Sequence, residues 1–368
     1  MCILTSIHQP FDVRIFHKEA RSLAEAGYRV SIVAPKEGNE TRGKVSIRAV
    51  PYPRNRLERL LMTSWRVLWS GLTERADIYH FHDPELVGMG ILLKMFGKKV
   101  IYDVHEDVPK TILGKEYLPT WTRELVALFA DGFEKAAARM FDAIIPATDD
   151  IAAKFSSCQR VVTVKNFPTL LTSNPSGRTR CSDRFRSIYV GVLSEARGIG
   201  KIVEALGHLQ DLTGAELILC GDFSPAPYEA EVRQLPGFEK TDCLGYVEHW
   251  KAQALLNEVD IGLVCIQPVD QYLTALPTKL FEYMAAGLPV VASNFPLWRE
   301  IVEGNFCGLC VDPTDPRGIA NAIRYLHDRP DLRREMGLNG RQAVVEKYNW
   351  QAESQSLIAV YESVLSEN

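Results

Sequence analysis

What the chain lacks narrows its function first. No apolar run approaches the roughly 18 residues that a membrane-spanning helix needs, so none of its helices is expected to cross a bilayer. Neither charge sign is in large excess: 42 Lys+Arg stand against 46 Asp+Glu, a net charge of −4. An extended nucleic-acid surface needs clustered cations and is therefore not expected. Cysteine is present but unpaired in pattern. The eight cysteines are scattered, and only Cys307 and Cys310 form a Cys-x-x-Cys, with no second pair or nearby histidine to complete a zinc site. No signal-peptide pattern precedes the first strand, and a reduced, cytoplasmic setting is the expectation. Short repeats and low-complexity tracts are absent as well.

What is there describes a two-domain α/β protein. A chain of 368 residues is long for a single core. Residues 1–165 carry 24 Lys+Arg against 20 Asp+Glu, and the remainder 18 against 26, an asymmetry that points the first half toward an anionic partner. Strands are expected at 2–6, 29–34, 45–50, 78–81, 99–104, 143–148 and 160–165, with helices such as 16–26 between them. Alternation of this kind predicts a parallel, doubly wound sheet. The pattern restarts with strands at 187–191, 215–221, 241–247, 260–266, 288–293 and 308–312, and helices at 200–209, 249–257, 278–286 and 317–328. The resulting division is a first domain over 1–170, a linker over 171–186, a second domain over 187–348, and a terminal helix in 349–368 that returns to the first domain. Two such sheets facing each other by their strand ends would form a ligand cleft.

One stretch concentrates the chemistry: "PTKLFEYMAAGLPVVAS", residues 277–293. Pro277 suits a first helical turn and Gly287 a helix end. Leu280, Phe281, Met284 and Ala285 form the apolar face, yet Glu282 sits among them. A helix start offers free N–H groups to a phosphate, and a carboxylate accepts from paired ribose hydroxyls. The bland alternative is a solvent-facing glutamate on a packing helix.

The stretch resembles the nucleotide-sugar motif of retaining GT-B glycosyltransferases of family 4 (GT4), of the kind that assemble bacterial surface polysaccharides, lipopolysaccharide and capsule. The resemblance extends over essentially the whole chain and implies the GT-B fold, two Rossmann-like domains across a cleft. It implies a ribose-binding role for Glu282, the second glutamate of the family's E-x7-E. The first falls on Thr274, a departure at the contact to the transferred sugar. Backbone of Ala275, Leu276, Pro277 and Thr278, with Lys279, would hold sugar and diphosphate. "YVGVLSEARGIGKIVEALGHL" (189–209) is similar to the family's next segment, with Gly191 in the donor site and Arg197 at the diphosphate-gripping lysine position. Val192 stands where an arginine is expected, a second departure, and Lys201 nearby reads equally as a solvated residue. Backbone of Tyr246 and Val247 would flank the base, which leaves UDP against GDP unread.

In the first domain, Asp12 and Arg14 follow strand one and read either as acceptor contacts or as a local helix cap. "YHFHDPEL" (79–86) and "YDVHEDVPK" (102–110) each end a strand in histidine and acid. The resemblance sets His105 beside the donor phosphate and sugar, with Glu106 and Asp107 toward the acceptor. Asp83 reads as a helix cap or as a partner of His82. The two His–acid pairs raise metal binding, but they fall in separate loops and none is expected. The segment 53–75 combines Arg54, Arg56, Arg59 and Arg66 with Leu57, Leu60, Leu61, Trp65, Leu68 and Trp69 at helical spacing, which suits a membrane interface or ordinary packing. The segment 121–142 reads as core.

The resulting expectation is metal-independent transfer of a sugar from a UDP- or GDP-sugar to a hydroxyl of a lipid-linked saccharide, with retention, on the inner face of the cytoplasmic membrane. The alternatives are a sugar-nucleotide 2-epimerase on the same fold and a non-catalytic partner subunit that binds nucleotide or lipid.

Overall fold

Short apolar runs that are buried along their whole length dominate both halves of the chain, and such runs make strands covered on both faces. The computed structural model describes residues 1–114, 119–170 and 184–366. It divides into two compact units: Met1–Asn166 with the last helix, Trp350–Ser366, and Phe167–Asn349.

The first unit is built on β1 (Cys2–Leu4), β2 (Val30–Pro35), β3 (Glu40–Arg42), β4 (Val45–Val50), β5 (Ile78–Phe81), β6 (Lys99–Val104) and β7 (Ala143–Pro146). Their order is β3-β4-β2-β1-β5-β6-β7, parallel except for β3, which closes an edge against β4. Side chains alternate across the sheet. Ile3, Ile32, Ile78 and Ile101 pack on one face and Leu4, Val33, Tyr79 and Tyr102 on the other. The first of these faces is covered by Trp350, Leu357, Val360, Tyr361 and Val364 of the last helix. The run 160–165, expected as a strand, lies parallel to β7 without forming a regular strand, bridging Val161 to Ile144 and joined by Ile144 N to Arg160 O, Val162 N to Ile144 O and Val164 N to Pro146 O.

The second unit is built on β8 (Phe185–Val190), β9 (Ala215–Cys220), β10 (Thr241–Gly245), β11 (Ile261–Val264), β12 (Val290–Ser293) and β13 (Gly308–Val311). All pair in parallel, in the order β10-β9-β8-β11-β12-β13. Numbered within the unit this is 3-2-1-4-5-6, the doubly wound nucleotide-binding order, whose direction reverses between β8 and β11. The expected linker lies mostly outside the described residues, and its last two residues, Phe185 and Arg186, already belong to β8. Two further helices, Pro296–Val302 and Pro330–Glu346, cover this sheet and fall where no helix was expected.

Candidate functional site

In the second unit the polar groups gather at the carboxyl ends of the strands. β8, β9 and β10 are closed by Gly191, Gly221 and Gly245, all with positive φ. At Gly221 a Cβ would lie 2.0 Å from the carbonyl oxygen of Gly191, so the two loops meet backbone to backbone and only glycine fits. From the bare Gly191 surface rises Lys279, whose Nζ would be 3.2 Å from a Cβ placed there. Its ammonium also lies 5.2 Å from the Tyr189 ring centroid. Arg197, in the loop after β8, lays its guanidinium 4.6 Å over Tyr272, in the short helix Asp270–Leu273 that follows β11, and so spans the point where strand order reverses.

Lys279 and Glu282 ride on the helix Thr278–Ala285. This helix is anchored by Tyr283, whose hydroxyl accepts from Val190 N at 3.0 Å and whose ring leaves room only for glycine at 262. Burial, with Arg197 next, lowers the Lys279 ammonium to about 8, partly opposed by Glu282. Glu282 is half-buried. Ala275, Leu276, Pro277 and Thr278 are half-buried ahead of it, whereas Thr274 is exposed. Val192 is exposed beside Gly191, and Tyr246 projects from the end of β10 with Val247 packed inward. Lys201 pairs with Glu204 on a helix surface.

The first unit has its own concavity at the equivalent place, where the strand order reverses between β1 and β5. A pocket of about 850 Å³ is lined by Ile7, His8, Asp83, Glu85, His105 and Glu106, with Arg56 and Arg59 on its rim. Asp83 builds the floor. Its Oδ2 accepts from Thr5 Oγ1, Ser6 N, Ser6 Oγ and Ile7 N at 2.5–3.2 Å, and makes no cap bond to the helix that follows. The cap reading of Asp83 is therefore corrected: the carboxylate fixes the loop after β1. His105 is about one-fifth exposed. Burial drives its imidazole down to about 4 against the pull of Asp103, with Arg14 and His8 adding to the fall. Glu106 is exposed and accepts from Thr111 Oγ1 at 3.3 Å.

Of two further residues expected at this site, Arg14 lies behind it and Asp12 at its edge, 3.8 Å from His8. Arg14 is buried in the helix Val13–Ala20, bound to Asp103 at 2.8 Å and to Glu19 at 2.8 Å, and cannot reach a phosphate. Asp12 is the N-cap of that helix, accepting from Arg14 N and Ile15 N at 2.8 and 3.1 Å. What the adjacent-pair reading missed is the partner of each histidine. His82 Nδ1 lies 2.8 Å from His105 Nε2, and behind it stand His80, Glu19 and Asp103.

Of the two surface helices, only the second differs from expectation. In Arg56–Thr73, Leu57, Leu60, Leu61, Met62, Trp65 and Trp69 are exposed, but Leu68 belongs to the core. Arg54 and Arg56 are exposed, while Arg59 pairs with Glu85 and Arg66 with Glu58. The helix Thr120–Ala138, expected as core, buries Ala127, Glu134, Ala137 and Ala138 and turns Trp121, Leu125, Leu128 and Phe129 outward. Among the described residues no helix is long and apolar enough to cross a membrane. Cys307 is buried and Cys310 half-buried, and both thiols are raised to about 12 by burial, so neither is a poised nucleophile.

Comparison with known proteins agrees with this architecture. Residues 13–167 match the family model described as Glycosyltransferase Family 4, and residues 178–343 match Glycosyl transferases group 1. The MMP alpha-(1->4)-mannosyltransferase of Mycolicibacterium hassiacum is 26% identical over 305 residues, 79% of this chain and 72% of that protein. Sucrose-phosphate synthase from Thermosynechococcus elongatus superposes with a TM-score of 0.82 at 17% identity, over 100% of this chain and 99% of that one. The Anabaena Alr3699/HepE structure in complex with UDP-glucose gives 0.72 at 15% identity, over 98% and 99%. With the two models accounting for nearly all of a chain folded as two doubly wound parallel sheets, the protein belongs to the GT-B glycosyltransferases of the family 4 kind.

Proposed function

We propose that the chain transfers a sugar from a UDP- or GDP-sugar to a hydroxyl of a lipid-linked saccharide, with retention of the anomeric configuration, in polysaccharide assembly. The observation that carries this reading is the convergence of Arg197, Lys279 and Glu282 on the carboxyl edge of the second sheet, where its strand order reverses. Glu282 would hold the ribose, and Tyr246 and Val247 the base. Lys279, Arg197 and the open N–H groups of the helix start would stabilise charge on the departing diphosphate. Those cations supply what the leaving group needs, and the transfer step is proposed to run without a divalent ion. The leaving phosphate itself would take the acceptor proton on the same face, so no covalent nucleophile is needed. His105 and Glu106 are assigned to the acceptor and the reacting sugar, as groups lining the pocket of the first unit. The mannosyltransferase relative and the UDP-glucose complex of a structural neighbour support a nucleotide-sugar donor.

Titration calorimetry with UDP and GDP tests the donor half. Glu282→Ala is expected to weaken the preferred nucleotide by about 1–3 kcal/mol, the loss of a charged hydrogen bond. Unchanged affinity would remove the ribose assignment. His105→Ala is expected to lower turnover while nucleotide affinity holds, and wild-type turnover would strike it from the site.

A further inference from the structure

Behind the pocket of the first unit, a group of buried side chains sets two imidazoles against two carboxylates. The parallel register sets Phe81 beside Tyr102, and continuing it one step past the end of β5 brings His82 level with Asp103. Alternation along β5 places His80 on the same face as His82. Across that face runs the helix Val13–Ala20, wound as a π-helix, which presents Arg14 and Glu19 together. Glu19, His80, His82 and Asp103 each offer one ligand atom, all within 4.8 Å of one another, and all four side chains are 2% exposed or less.

The hydrogen bonds on the far side of each ring allow both Nε2 atoms to face inward as acceptors. His80 Nδ1 lies 2.7 Å from Tyr361 Oη, and His82 Nδ1 lies 2.8 Å from His105 Nε2. With Nδ1 donating in each, both Nε2 lone pairs point into the cluster. There they meet carboxylates: His82 Nε2 is 3.3 Å from Glu19 Oε2, and His80 Nε2 is 3.6 Å from Asp103 Oδ2. Neither nitrogen has a hydrogen-bond partner among the described residues, and Glu19 Oε2 has none; Glu19 Oε1 has only Arg14 Nε, 2.8 Å away. Arg14 is the only cation among them. It binds Glu19 Oε1 and both oxygens of Asp103, including the Oδ2 that faces His80, and holds the two carboxylates in place. Buried acceptors that face one another are costly, and either a proton on Glu19, whose carboxyl is pushed up by burial and Asp103, or a cation at the centre relieves them.

We infer that Glu19, His80, His82 and Asp103 form a binding site for a divalent transition-metal ion of the zinc class. Two imidazole nitrogens and two carboxylate oxygens are the donor set of such ions. Ligand bonds of about 2.1 Å in a tetrahedron put neighbouring ligand atoms about 3.4 Å apart, close to the two spacings found here. Tyr361, His105 and Arg14 are the outer partners that orient metal-binding histidines and carboxylates. The ion would tie β5, β6 and the first helix together and, through Tyr361, the last helix. It is a structural site, separate from the donor groups of the second unit, and does not rest on the proposed reaction.

The test uses the untagged full chain. Metal analysis after purification from zinc-supplemented cells is expected to give about one equivalent per chain. Chelator-stripped protein reloaded with Co²⁺ is expected to show visible ligand-field bands and a raised Tm. His80→Gln and Glu19→Gln should each abolish the bands, while His249→Gln, at an exposed histidine of the second unit, should leave them unchanged. Folded wild-type protein that takes up neither zinc nor Co²⁺ would overturn the site, as would a His80→Gln chain that binds as much as wild type. Should the ligand variants fail to fold, the wild-type stoichiometry and spectrum decide alone. UDP affinity measured on the stripped protein keeps the two readings apart, because its loss would count against metal-free donor binding while the Co²⁺ bands would still report the site.

Discussion

At the scale of single residues, Lys279 carries the clearest pH signature. Its ammonium is lowered to about 8 by burial and by Arg197. Below that pH the group is charged and ready for a diphosphate. Above it, binding must take up a proton, and affinity is expected to fall by up to about tenfold per pH unit until the raised value of the complex is reached. Nucleotide titrations between pH 7 and 9, run in two buffers of different ionisation enthalpy, should show both the weakening and the proton uptake. Lys279→Met should bind less tightly and flatten the profile, and a wild-type affinity constant across that range would sink the assignment. The same residues show what could be read from sequence and what could not. Glu282 and Lys279 were legible because they are local to one helix and one motif. The buried cluster was not, since it brings His80 and His82, two residues apart, against Asp103 of the neighbouring strand and Glu19 of a helix distant in sequence. Reading each histidine with the acid next to it pairs side chains that face opposite sides of the sheet. Arg14 was misplaced for a related reason: the spacing of the first helix, not proximity to the strand end, turns it toward Glu19 and Asp103.

At the scale of elements, strand positions were largely legible because buried parallel strands are short apolar runs with turn residues at both ends. β4, β5 and β6 fall on their expected residues. Helix faces were harder. Apolar content alone predicts core for the segment that forms Thr120–Ala138, yet its inner face consists of small alanines and Glu134, and Trp121, Leu125, Leu128 and Phe129 are turned to solvent. Size decided the outcome, since a helix close to its neighbours accommodates alanine better than phenylalanine on the inside. Trp121 and Phe129 of this helix, with Trp65 and Trp69 of Ser64–Thr73, are therefore exposed aromatic surface on a half of the chain that carries the cationic excess. Such side chains favour the headgroup region of an anionic bilayer. Flotation with anionic liposomes is expected to carry the protein upward, to weaken in high salt, and to weaken again when Trp65 and Trp69 are both replaced by Ser. Equal flotation of wild type and the double variant would remove Arg56–Thr73 as the membrane contact.

At the scale of the whole molecule, the last helix decides how the chain counts its domains. Trp350, Leu357, Val360, Tyr361 and Val364 are buried on the sheet formed by the first 166 residues, although the second unit lies between them in sequence. Burying side chains of this size contributes on the order of 10 kcal/mol, as much as a typical domain's entire net stability. Tyr361 adds its contact with His80 and Trp350 a bond to Ser22 Oγ at 2.9 Å. The second unit, by contrast, closes two cores of its own without the last helix. Ending the chain after Asn349 should therefore remove the cooperative unfolding of the first unit and leave that of the second. Calorimetry of the truncated chain is expected to show one surviving transition, and limited proteolysis to cut first within residues 1–166. Added UDP should still raise the surviving transition if the donor groups of the second unit are sufficient for binding. Full retention of the wild-type unfolding profile after truncation would mean that the last helix decorates the first sheet rather than completing it.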